Sequence, residues 1–224
     1  MFELSYLQKW KKEVFLEIGV GGGHDFKHYV EKASYGVGMD ISLNALHSTK
    51  NKCMRQSNHQ FDVVLADAQN LPFKENCFST VLSSETIEHI PNVQRMISEV
   101  LRIIKRNGLF AASTPNLNSI QRIEFYQYLK QVMKHPKIYP PETWYSPKIL
   151  RDILTLHGFK VLRQTSVNYL PLGLFFKIPI IGLIIRFSYG KFSHLLEQIE
   201  DRILRKTFLK NFGYTQGIKA TKKV

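Results

Sequence analysis

Carboxylates are scarce and unevenly placed. Against 31 lysines and arginines the chain sets 18 aspartates and glutamates, a formal charge of +13 at neutral pH. No acid occurs between Asp152 and Glu197, and none after Asp201. Cysteine is nearly absent: Cys53 and Cys77 stand at no metal-ligand spacing, which argues against a disulfide framework or a thiolate zinc site and fits a reducing, cytoplasmic setting. No secretory leader is expected, because Lys9, Lys11 and Lys12 interrupt the apolar residues of MFELSYLQKWKKE. An unbroken membrane-spanning run is missing as well. The most apolar stretch, YLPLGLFFKIPIIGLIIRFSY (169–189), is split by Lys177 and punctuated by Pro171, Gly173, Pro179 and Gly182, and so falls short of the roughly 20 uninterrupted apolar residues of a spanning helix. Two readings stay open for it. Either it lies on an anionic membrane surface, at the inner face, drawn by its basic neighbours, or it forms a lid over a greasy pocket or a dimer contact.

What is present is enough apolar sequence for a core, 44% of 224 residues, and one domain is the simplest organisation, residues 1–224 with an apolar insertion at about 169–190. Short apolar runs alternate with helical patterns. VFLEI (14–18), YGVGM (35–39), FDVVLA (61–66), FSTVLSS (78–84) and GLFAAST (108–114) read as strands, followed by strands near 159–167 and 214–222. Helices are expected over 24–33, from an N-capping Ser42, over 93–105 with Asn107-Gly108 as its left-handed end, over 146–157 behind Ser146-Pro147, and over 192–206. This alternation predicts an α/β fold, a Rossmann-like doubly wound parallel sheet of about seven strands with helices on both faces. In such sheets ligands sit beyond the carboxyl ends of the strands. Gly19 to Gly23, Asp40, Asp67 and Glu85 all fall at such ends.

The stretch VFLEIGVGGGH (14–24) holds four glycines in five positions. Glycine suits a positive φ or the close approach of a ligand. A dinucleotide-binding turn needs a small residue where His24 stands, and Glu17 at the entrance would repel a pyrophosphate. A cofactor without phosphate, carrying a cationic amino-acid group, fits the acid better.

LEIGVGGG resembles the first motif of class I S-adenosylmethionine-dependent methyltransferases. GVGMDIS with Asp40, ADAQNLPF (66–73), FSTVLSSETIEHIPN (78–92), STPN (113–116) and YSPKILRDILTLHGFKV (145–161) are similar to later motifs of that family, in order, across about residues 13–165. The resemblance implies a sheet that is mostly parallel with an antiparallel last strand, and S-adenosyl-L-methionine as cofactor. Gly19, Gly21 and Gly23 would admit its methionine arm, and Glu17 would shape the turn or reach the amino group. Asp40 would take both ribose hydroxyls with Ile41 beside it, Asp67 and the Ala68 amide would meet the adenine, and Ser84 and Glu85 would border the reaction centre.

Glu85-Thr-Ile-Glu88-His89 resembles a signature of ubiquinone-biosynthesis O-methyltransferases and small-RNA 2′-O-methyltransferases, where such residues are implicated in divalent-metal binding. If the segment is helical, Glu85, Glu88 and His89 share one face. Three readings remain: a site for a divalent ion such as magnesium, His89 as general base or substrate contact with Glu85 beside it, and a structural histidine. A further downstream histidine of the small-RNA enzymes has no clear counterpart, and Trp144 stands about where relatives commonly carry a histidine. The expected reaction is methyl transfer to a small-molecule or lipid-like acceptor, at oxygen. The alternatives are an RNA methyltransferase using the basic residues Arg202, Arg205, Lys206, Lys210, Lys219, Lys222 and Lys223, and, less favoured, an NAD-dependent oxidoreductase.

Overall fold

Val14–Ile18 (β1) is the strand on which the rest of the sheet is assembled. It pairs in parallel with Tyr35–Asp40 (β2) on one side and Phe78–Ser84 (β4) on the other. Phe61–Leu65 (β3) extends the sheet beyond β2, and Ile104–Pro115 (β5) extends it beyond β4, both in parallel. Phe159–Val167 (β6) and Thr215–Lys222 (β7) complete the order β3-β2-β1-β4-β5-β7-β6. The computed structural model describes residues 14–54, 60–119, 133, 142–167 and 212–223. The apolar stretch 169–189, the expected helix 192–206 and Arg202 to Lys210 lie outside them.

The strand order reverses between β1 and β4, which opens a crevice at their carboxyl ends. β7 runs against its neighbours. The Thr221 hydroxyl donates to the Gly108 carbonyl (2.9 Å) and Lys222 Nζ to the Ile104 carbonyl (3.1 Å), so the end of β7 lies by the start of β5. The Lys223 amide likewise meets the Gly158 carbonyl just before β6. The mixed sheet, parallel where strands alternate with helices and antiparallel at its last strand, is therefore the one expected.

His24–Val30 (α1), Leu43–Met54 (α2), Val93–Ile103 (α3) and Pro147–Leu156 (α4) are the described helices. Ser42 opens α2 as expected, its Oγ accepting from the Ala45 amide (3.3 Å). Asn92 opens α3 by accepting from the Arg95 amide (3.0 Å). α3 stops earlier than its periodicity suggests. Ile104 is already extended, and Asn107, at φ 58°, belongs to an outward bulge of β5 rather than to a helix cap. Phe78 pairs with Ile104 and Thr80 with Leu109, so Lys105 to Gly108 are extruded opposite Ser79.

One core cluster joins β1 to α1 and α2 through Phe15, Phe26, Tyr29, Val30, Leu46 and Cys53. The Phe15 and Phe26 rings sit 5.4 Å apart, and burying each stabilises the fold by about 2–3 kcal/mol. α3 turns Met96, Ile97, Val100 and Ile103 inward, all fully buried.

The described residues fall into two compact units, one drawn from Met1–Thr114, Lys148–Gln164 and Gly217–Val224, the other from Pro115–Pro147 and Thr165–Gln216. Within the second, Asn116 Nδ2 donates to the Gly213 carbonyl (2.8 Å), the Gly213 amide to Ser166 Oγ (2.9 Å), and Trp144 packs edge-on against Tyr214. Among the described residues no helix is long and apolar enough to cross a membrane.

Candidate functional site

After Ile18 the backbone turns through Gly19 (φ 73°), Gly21 (φ 51°) and Gly23 (φ 72°) into α1. The turn is tied to β2 at both levels. The Gly19 and Val20 amides donate to the Met39 carbonyl (2.8 and 3.0 Å), and the Gly21 amide donates to Asp40 Oδ2 (2.8 Å). From α2, Thr49 Oγ1 donates to the Gly21 carbonyl (2.9 Å) and Lys52 Nζ to the Gly22 carbonyl (2.6 Å).

The glycines are not equivalent. A Cβ at Gly19 would lie 2.2 Å from Thr86 Oγ1, and one at Gly23 would lie 2.8 Å from Thr49 Oγ1. Both are small because protein side chains already fill the space. A Cβ at Gly21 would meet nothing within 4 Å. Room for a ligand is thus left at Gly21, whereas the sequence alone assigns it to all three.

Glu17, at the end of β1, is 2% exposed, and its Oε2 has no hydrogen-bond partner. Burial, with a smaller contribution from the nearby negative charge of Asp25, holds its pKa well above the ordinary carboxyl value. Asp25 itself is tied to the end of β4, where Ser84 Oγ donates to Asp25 Oδ2 (3.0 Å) and approaches Ser113 Oγ (3.4 Å). The sequence alone does not single out Asp25. Its signal was an acid in the first turn of the helix that follows the glycines, which alone reads as an ordinary helix-end charge.

Asp40 is half-buried, and each of its oxygens accepts one backbone N–H, Oδ2 from Gly21 and Oδ1 from Ser42 (2.8 Å). A carboxylate oxygen has capacity for a second donor, so hydroxyls can still be accommodated. Beside it Ile41 leaves 75% of its surface in water, an apolar face with no protein covering. Asp67 is exposed and caps its own turn, Oδ1 accepting from the Gln69 amide (2.8 Å). Ala68 next to it is buried. Gln69 continues the network by accepting from the Asn92 amide (3.1 Å) and, through its carbonyl, from Arg95 Nε (2.8 Å).

Glu85, Glu88 and His89 are not gathered on one helical face. Glu85 stands in the left-handed region at φ 45°, its amide held by Ser113, and only Ile87–His89 form a short 3-10 turn. Glu88 is 4% exposed and accepts from Thr114 Oγ1 (2.8 Å), while Glu85 and His89 are exposed. Among the described residues no three of His, Cys, Asp or Glu stand where they could hold a metal ion. The helical-face expectation is therefore corrected: the turn after β4 is too tight to stack positions three and four apart.

Trp144 is 8% exposed and donates through Nε1 to Glu142 Oε2 (3.0 Å). Lys219, Lys222 and Lys223 are the described members of the basic set.

At the carboxyl ends of β1, β2 and β4 the chain thus assembles a buried carboxyl oxygen lacking a partner, a second carboxylate beside it, an open glycine, an acid with spare acceptor capacity and an uncovered apolar side chain. This chemistry suits a nucleoside joined to a cationic amino acid and disfavours a phosphate, which the Asp25 carboxylate would repel.

Residues 16–112 match the family described as methyltransferase domain. An uncharacterized protein of Methanocaldococcus jannaschii is 28% identical over 75% of this chain and 66% of its own length. A ubiquinone biosynthesis O-methyltransferase of Bartonella bacilliformis is 26% identical over 70% of this chain, and the match takes in 64% of that enzyme. The chain therefore spans about two thirds of the length of these two relatives. Among solved structures, phosphoethanolamine N-methyltransferase 2 of Haemonchus contortus in complex with S-adenosyl-L-methionine superposes with a TM-score of 0.68 at 16% identity, over 99% of this chain and 51% of that one.

Proposed function

We propose that the chain, a class I S-adenosylmethionine-dependent methyltransferase, acts as one domain that methylates oxygen on a small-molecule or lipid-like acceptor, in the cytoplasm and at the inner face of an anionic membrane. The observation that carries the cofactor end is Glu17 Oε2, a buried acceptor without a donor. A cationic amino group satisfies such an atom. The acceptor end rests on the apolar stretch 169–189 and on the likeness to ubiquinone-biosynthesis O-methyltransferases.

S-adenosylmethionine supplies, when bound, a methyl group on a positively charged sulfur. This chain's residues do the remainder. Glu17 offers its unpartnered buried oxygen and Asp25 its carboxylate to the amino-acid end, Asp40 accepts the ribose hydroxyls with its spare lone pairs, and Ile41 offers its uncovered side chain to the adenine. Asp67 accepts from the adenine amine and the Ala68 amide donates to the ring. Ser84 and Glu85 border the acceptor, where alignment and exclusion of water are the main requirements of an in-line displacement. His89 takes the hydroxyl proton on an imidazole nitrogen.

The test is release of S-adenosylhomocysteine with a phenol bearing an isoprenoid tail, the matching aniline, and single-stranded RNA. Turnover of the phenol, abolished in His89→Ala with cofactor binding retained, is expected. Methylation confined to the amine or the RNA would overturn the acceptor reading. Cosedimentation with anionic vesicles, weakened by salt, tests the membrane surface.

A further inference from the structure

A cavity of about 540 Å³ opens at the other end of the strands, beside the β5 bulge. It is lined by Ser79 and Thr80 of β4, Lys105 and Arg106 of the bulge, Leu162 of β6 and Lys219 of β7. Ser79 precedes Ser84 on the same strand, so the groove lies roughly 17 Å from the cofactor end.

Surface cations are usually no more than solvated charge. Three features set this group apart. Lys105 and Arg106 are adjacent on a bulge whose shape is fixed, since Thr221 Oγ1 holds the Gly108 carbonyl at 2.9 Å and Asn107 adopts φ 58°. No carboxylate lines the groove, and Lys105, Arg106 and Lys219 form no ion pair among the described residues. Lys222, by contrast, is engaged internally by Asn76 Oδ1 (2.9 Å) and the Ile104 carbonyl. Finally, Ser79 Oγ is buried with no hydrogen-bond partner. Partial burial, and then the nearby Arg163, push the Lys219 ammonium down. Cations that line one groove with no acid among them favour an anion there.

We propose that this groove binds a phosphate-type oxyanion, held by Lys105, Arg106 and Lys219 and satisfying the Ser79 hydroxyl. The ligand is a phosphate ester rather than a bare carboxylate, because three cations from two strands surround more oxygens than a carboxylate presents. Leu162, 51% exposed, offers an apolar wall for the organic part of the ester. The groove does not depend on the nature of the methyl acceptor.

The full chain is titrated with inorganic phosphate at low salt, followed by calorimetry, and mixed with phosphatidylglycerol or phosphatidylcholine vesicles. Saturable phosphate binding is expected, weakened about tenfold or more in Lys105→Ala/Arg106→Ala and in Lys219→Gln, with the unfolding midpoint and S-adenosylmethionine affinity of Arg106→Ala unchanged. Vesicle binding that requires phosphatidylglycerol and is displaced by phosphate identifies a lipid headgroup as the source. Phosphate binding without vesicle binding identifies a soluble ester, and either outcome supports the site. Absence of saturable phosphate binding, or phosphate binding by the Lys105→Ala/Arg106→Ala and Lys219→Gln variants equal to that of the parent, overturns it. So does single-stranded RNA that binds through the same residues and is not displaced by phosphate.

Discussion

The Gly21 amide donates to the Asp40 carboxylate at 2.8 Å, joining the glycine turn after β1 to the end of β2. One side chain thereby fixes the loop that admits the cofactor and supplies the acceptor for its ribose. In Asp40→Asn one carboxylate oxygen becomes a donor, which leaves either Gly21 or Ser42 without its acceptor. S-adenosylmethionine affinity should fall about tenfold or more, and stability by about 1–2 kcal/mol. Calorimetric titration and thermal unfolding read the two separately.

Gly19 and Gly21 should respond differently to alanine. Gly19→Ala combines a positive φ with a collision against Thr86, and should cost about 2–4 kcal/mol. Adding Thr86→Ala should recover part of that loss. Gly21→Ala meets no neighbour and should cost about 1 kcal/mol, yet impair cofactor binding more strongly. Denaturation curves and binding isotherms of the three variants give the comparison, and equal destabilisation at both positions would contradict the packing roles.

Glu17 makes the fold pH-dependent in a direction opposite to most carboxylates. Its folded pKa lies above the unfolded value, near 4.5, so the folded protein holds a proton that the unfolded chain releases. The contribution is full below the unfolded pKa and is lost as pH rises toward the folded one. Glu17→Gln should therefore match the parent at pH 4, unfold at a higher temperature at pH 7 to 8 without ligand, and bind S-adenosylmethionine more weakly. A constant difference in midpoint across this range would refute the linkage.

Glu99 and Arg102 hold the segment after Asp67. Arg102 donates to the Phe73 and Leu71 carbonyls (2.7 and 2.9 Å) and to Glu99, whose Oε2 accepts from the Leu71 amide (2.9 Å). Hydrogen bonding from Arg102 pulls the Glu99 pKa below its ordinary value. That stability is present above the unfolded pKa and lost as pH falls through the folded one. Arg102→Met should cost about 1–2 kcal/mol at neutral pH and less under acid conditions. Amide exchange at residues 66–73 should rise in the variant.

The sequence carried the fold where short-range chemistry decides it. Ser42 caps a helix, Ser146-Pro147 opens one, and apolar runs ending in acids become parallel strands whose carboxyl ends meet. It failed where a distant partner decides. Asn107-Gly108 looks like a helix end, but pairing of β5 with β4 absorbs it into a strand. Gly19 and Gly23 look like ligand space until Thr86 and Thr49 arrive from elsewhere in the chain. Glu85-Thr-Ile-Glu88-His89 has helical spacing, yet Ser113 of the neighbouring strand grips the Glu85 amide and Thr114 draws Glu88 inward. Asp25 carried no mark of its own, since its link to Ser84 crosses 59 residues.

β7 follows β6 in the chain yet lies between β5 and β6. During synthesis β6 emerges with no neighbour to pair with, and its only route into the sheet is through a strand not yet made. The ribosome must therefore release nearly half a hundred further residues before that edge of the sheet can close, a delay during which β5 exposes an open ladder of amides and carbonyls to any other extended chain.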